Sequence, residues 1–178
     1  MSHYCADALR VPVKRFQQIY KGFLSDFQKG LFSEDTLWEK LCAQLKCKKP
    51  TVSSLWEEAF RSVYDENIPV FQLAEQLHQK GYRVGLLSNT EAPAIRFIHA
   101  KKYTMFDITI FSCEEQTCKS EERIFRILLN RLLLKPDEVV FIDDNKKNID
   151  IAQKMGIISI LFKNPHQLID DLDPLLSS

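Results

Sequence analysis

The chain has 178 residues, 45% hydrophobic and 27% charged, which suits one globular domain, alone or with a small appendage. Its 24 Lys plus Arg balance 24 Asp plus Glu, so no net field favours nucleic acid or an anionic membrane as partner. No uninterrupted apolar run approaches the roughly 18 residues of a membrane helix, and the opening M-S-H-Y-C-A-D-A-L-R lacks the basic and apolar regions of a secretory signal. Five cysteines, an odd number without an export signal, predict reduced thiols in the cytoplasm. Cys42/Cys47 and Cys113/Cys118 share a four-residue spacer. With no His close to either pair, buried free thiols are expected in place of zinc ligands.

The first 66 residues read as helical. Phe16, Ile19, Tyr20, Phe23, Leu24 and Phe27 form one apolar stripe at three- and four-residue spacing. Leu37, Trp38, Leu41, Cys42 and Leu45 form another after Ser33-Glu34-Asp35. Ser54 to Glu57 resembles a capping box opening a third helix. The aromatic residues here, among them Phe23, Phe27, Trp38 and Trp56, are expected to be core.

From Pro69 the texture changes. A helix is predicted up to Gly81, then a short strand R-V-G-L-L-S (83–88), a helix over 91–101 and a strand I-T-I-F (108–111). A long helix over 121–134 precedes the strand E-V-V-F-I (138–142). A helix over 146–155 ends at Gly156, the strand I-I-S-I-L-F (157–162) follows, and a terminal helix covers about 167–172. Strands apolar on both faces and alternating with helices predict a parallel sheet covered on both sides. The expected architecture is α/β, a three-layer Rossmann-like parallel sheet over 67–178 preceded by a helical cap over 1–66.

Ligands of such sheets bind beyond the carboxyl ends of the strands. Those ends carry Ser88-Asn89-Thr90, then Cys113 to Lys119, then Asp143-Asp144-Asn145. A hydroxyl, an ammonium and a carboxylate pair are the parts that hold a phosphoryl group and a hard cation. Carboxylates bind Mg2+, and Lys and Ser supply donors to phosphate oxygens. Each part also has a plain reading. Ser88 would serve as the N-cap of the next helix, and Lys119 as a solvated charge. Asp143-Asp144 is harder to explain so, because capping the next helix uses one carboxylate and leaves the other without a structural task.

L-L-S-N-T (86–90), C-K-S-E-E-R-I-F (118–125) and F-I-D-D-N-K-K-N-I-D-I-A-Q-K-M-G (141–156) resemble the second, third and fourth motifs of the haloacid dehalogenase (HAD) superfamily. The similarity is to members with a helical cap, mostly phosphatases of small phosphorylated metabolites. The resemblance implies that Ser88, with Asn89, hydrogen-bonds phosphoryl oxygens and that Lys119 stabilises their charge. Asp144 would be the direct Mg2+ ligand, with Asp143 binding directly or through water, and Asn145 and Asn148 would complete the fourth motif. Cys118 and Ser120 stand where the third motif commonly has Gly and Pro.

The first motif, D-x-D after a first strand, has no counterpart in the N-terminal half. Asp7 lies in helix-like sequence, and Asp171-Leu-Asp173 follows no strand. In the family the first of those acids attacks phosphorus and the second serves as acid and base. The chain is therefore expected to lack the central first strand and the nucleophile. It would be inactive in this form, prone to self-association through an incomplete sheet, and Met1 reads as an internal start. The alternatives are a non-catalytic relative that binds phosphate or a protein, and a haloacid dehalogenase. The second is disfavoured because dehalogenases tend to lose the acidic pair. An epoxide hydrolase fusion also carries this domain type, but nothing here resembles its second domain.

Overall fold

The computed structural model describes residues 1–176. Five helices come first: α1 (Ser2–Ala8), α2 (Val13–Tyr20), α3 (Leu24–Gln28), α4 (Glu34–Leu45) and α5 (Leu55–Val63). Next are α6 (Ile68–Gln79), β1 (Gly85–Ser88), α7 (Ala92–Ala100), β2 (Ile108–Phe111), α8 (Ser112–Glu115) and α9 (Glu122–Leu132). A 3-10 turn over Pro136–Glu138 leads to β3 (Val140–Asp143), α10 (Lys146–Lys154), β4 (Ile158–Leu161) and α11 (Pro165–Leu176).

The chain divides into two compact units. The first joins Met1–Glu66 to Leu77–Cys118, and the second joins Asn67–Gln76 to the chain from Lys119 onward. In the first unit, helices α1 to α5 enclose a core of Phe16, Phe27, Leu37, Trp38, Leu41 and Trp56 with Cys5 and Ala6. The Phe27 and Trp56 ring centroids are 5.4 Å apart, and those of Trp38 and Trp56 are 6.1 Å apart. The expected single stripe over 16–27 is broken into α2 and α3 by a turn at Lys21-Gly22-Phe23. Glycine weakens the helix there, and the chain folds back to bury Phe27.

Two serines start helices. Ser33 accepts from the Thr36 amide at 3.2 Å and Ser54 from the Glu57 amide at 3.1 Å, satisfying donors that a helix start leaves open. Glu34 ties the two starts together, accepting from the Ser54 hydroxyl at 2.6 Å and the Trp56 amide at 2.8 Å. Gly30 holds φ +66, and a Cβ there would lie 2.4 Å from the Cys113 carbonyl oxygen. Glycine is thus needed twice over, for its backbone angle and for close approach.

The strands pair in parallel as two separate ladders. β1 runs beside β2 with Ser88 opposite Phe111, and β3 beside β4 with Asp143 opposite Leu161. In the second unit, Phe141 packs edge-on against Phe125 of α9 at 5.0 Å. Ile160 and Val140 pack with Leu168 and Leu172 of α11 and with Val70 and Leu73 of α6. Helices therefore cover both faces of the β3–β4 ladder, giving three layers.

The strands are less buried than continuous apolar runs predict. Ile142 and Ile158 remain 37% and 38% exposed, and Leu86 and Leu87 are only half-buried. Among the described residues each ladder is two strands wide, so each strand pairs along one edge.

Candidate functional site

β3 alternates, and that alternation aims the acids. Phe141 and Asp143 point to the buried face, while Ile142 and then Asp144 fall on exposed positions. Asp143 Oδ2 meets Lys119 Nζ at 2.6 Å, with side chains 3% and 17% exposed. Asp143 Oδ1 accepts from the Asn145 amide at 2.8 Å and from Asn148 Nδ2 at 3.0 Å. A buried carboxylate with an ammonium and two N–H donors is compensated on both oxygens. Asp144, one residue on, is exposed and has no hydrogen bond or ion pair among the described residues.

The helix after the acids is capped differently from expectation. The N-cap of α10 is Asn145, whose side chain accepts from the Lys147 amide at 3.0 Å. Neither carboxylate caps the helix. Asp143 orders the turn and holds Lys119, and Asp144 is the carboxylate left open to a ligand. Asn148 is buried and contributes to the same turn.

Ser88 and Asn89 lie in the first unit, at the end of β1, and both are half-buried. Ser88 does not cap α7, whose N-cap is Glu91. The loop that carries them is fixed by Ser112, at the end of β2. Its hydroxyl accepts from the Thr90 amide at 2.9 Å and donates to the Gln28 carbonyl at 2.5 Å. Glu91 is 5% exposed and accepts from Trp56 Nε1 at 3.3 Å, with the polar ends of Gln28 and Tyr20 among its neighbours. Burial pushes the Glu91 carboxyl above its ordinary range, against the pull of those donors. Sequence reading did not single out Ser112 or Glu91. The one available signal was position, just past the carboxyl ends of β2 and β1.

Mg2+ takes oxygen ligands, commonly one or two carboxylates with water and phosphate oxygens. The exposed Asp144 carboxylate fits that role, and the adjoining Asp143 retains lone pairs beyond those in its hydrogen bonds. Among the described residues no group of three or more His, Cys, Asp and Glu lies together. A cation here would draw its remaining ligands from water and from the bound anion.

Residues 2–156 match the haloacid dehalogenase-like hydrolase family, and the chain belongs to it. Mouse acyl-CoA dehydrogenase family member 10 is 30% identical over 140 residues, covering 77% of this chain and 13% of that protein. A phosphorylated carbohydrates phosphatase of Thermotoga maritima is 28% identical over 105 residues, 57% of this chain and 48% of that protein. The chain thus spans less than half of either relative. A HAD family enzyme of Bacteroides thetaiotaomicron, solved with magnesium and inorganic phosphate, superposes with TM-score 0.71 at 24% identity, covering 90% of this chain and 86% of that one. That likeness establishes the HAD-like α/β fold. Among the described residues no helix is long and apolar enough to cross a membrane.

Proposed function

We propose that these residues form the phosphate- and metal-holding part of a Mg2+-dependent phosphatase acting on a small phosphorylated metabolite. The observation that carries this reading is Lys119 locked to Asp143 at the end of β3 beside the open carboxylate of Asp144. An ammonium held by a buried carboxylate is pre-oriented, so it can meet phosphoryl charge with little reorganisation. Asp144 holds Mg2+ directly, and Asp143 supports it while keeping Lys119 in place. The cation, when bound, neutralises charge on the phosphate oxygens. The intact acidic pair favours a phosphatase over a dehalogenase, and the similarity to a phosphatase of phosphorylated carbohydrates agrees with it.

No D-x-D occurs in the N-terminal half of these 178 residues, so the attacking carboxylate is not among the groups assigned. Loss of a nucleophile lowers turnover on the order of 10^6-fold. The 178-residue chain is therefore expected to give no measurable Mg2+-dependent hydrolysis of p-nitrophenyl phosphate. Turnover at ordinary phosphatase rates, abolished by EDTA, would show that the nucleophile lies within this chain and that its assignment as missing is wrong.

A further inference from the structure

Helix α4 ends at Lys46, which takes the left-handed conformation at φ 59, ψ 44. The next amide, of Cys47, donates back to the Cys42 carbonyl at 3.2 Å. In this kind of helix ending, the residue after the left-handed position sits against the one five back, and their side chains meet. The meeting residues are ordinarily apolar; here both are cysteines, and both are free thiols.

Their surroundings differ. Cys42 is 4% exposed, and its thiol also donates to the Lys48 carbonyl at 3.6 Å. Cys47 is half-buried, packing on the helical core from its rim. Two thiols brought together by one helix ending, one half-buried and one buried behind it, are the parts of a peroxide-sensitive pair.

We infer that Cys42 and Cys47 are a redox modification site that closes to an intramolecular disulfide on exposure to a hydroperoxide. The Cys47 sulfur attacks the peroxide, the O–O bond breaks and water leaves, giving a Cys47 sulfenic acid. The Cys42 sulfur then attacks Cys47, the S–O bond breaks, and a second water carries off the remaining oxygen and the Cys42 proton. Two thiols and one hydrogen peroxide become one disulfide and two waters, and a dithiol reductant reverses the change. Burial pushes the Cys42 thiol up to about 12, which agrees with Cys47 as the first to react.

The test is intact mass and non-reducing peptide mapping of the full chain after hydrogen peroxide. The expected product is about 2 Da lighter and returns to the starting mass with dithiothreitol. Trypsin cuts after Lys40, Lys46 and Lys48, so the bridge should join peptide 41–46 to peptide 47–48. Cys47→Ser, checked for folding by circular dichroism, should abolish that product. Cys42→Ser should leave a Cys47 sulfenic acid that dimedone traps. A map without the 41–46 to 47–48 linkage, a bridge through Cys113 or Cys118, or an undiminished mass loss in Cys47→Ser would overturn the inference.

Discussion

Asp143 and Asp144 are chain neighbours with opposite surroundings, and their variants should separate accordingly. Asp143→Asn removes the charge on which Lys119, Asn145 and Asn148 converge. Breaking a buried pair of this sort costs roughly 3 kcal/mol, to be read as a lowered midpoint in urea unfolding. Asp144→Asn, at an exposed position, should leave stability within about 0.5 kcal/mol. Equal effects of the two substitutions would contradict the division of labour between them. Glu91 carries a second prediction. Its carboxyl binds its proton more tightly in the folded chain than the ordinary value of 4.5. The native state therefore holds more protons, and stability from this group is full below that value and declines as pH rises through the raised folded value. Glu91→Gln should flatten this decline, so the gap between variant and wild type in urea unfolding should widen in the variant's favour from pH 5 to pH 8. A gap that stays constant would show that Glu91 does not titrate differently on folding.

At this scale the acids and Lys119 were legible because strand-end carboxylates have few plain explanations. Their individual tasks were not, since which oxygen meets which donor depends on the pleat and on contacts between distant residues. The cap of α10 was misjudged for a local reason. Asn145 is as good a cap as either aspartate, and it sits one residue closer to the helix.

Among elements, the most periodic were read best. The strand I-T-I-F matches β2 residue for residue, and α4, α7 and α10 lie within a residue or two of expectation. The differences have physical causes. The helix expected to reach 134 stops at Leu132, because Leu133 turns left-handed at φ 53 and stands 90% exposed. The strand expected from residue 138 starts at Val140, because Pro136 opens a 3-10 turn. The terminal helix is longer than its stripe, running from Pro165 to Leu176 with Pro174 inside it. Gly30 is the element-scale test, since its angle and its contact with Cys113 seat the end of α3 against α8. Gly30→Ala should destabilise the chain by about 2 kcal/mol in urea unfolding. A change within about 0.5 kcal/mol would mean the turn relaxes freely and positions nothing.

For the whole molecule, alternating helices and apolar runs made the α/β class readable, and the order of three motifs over 86–156 made the family readable. The pairing of strands was not, because periodicity fixes which face is buried and leaves open which strand neighbours which. The four strands of the described residues form two parallel ladders of two. On the proposed reading, the chain keeps the groups that hold phosphate and cation without the one that attacks phosphorus. The most direct test is a calorimetric titration of Mg2+ into the 178-residue chain in the presence of inorganic phosphate, run beside Asp144→Asn. Saturable binding to the wild type that disappears in Asp144→Asn is the predicted result. No binding to the wild type, or equal binding to both, would contradict the assignment of this site.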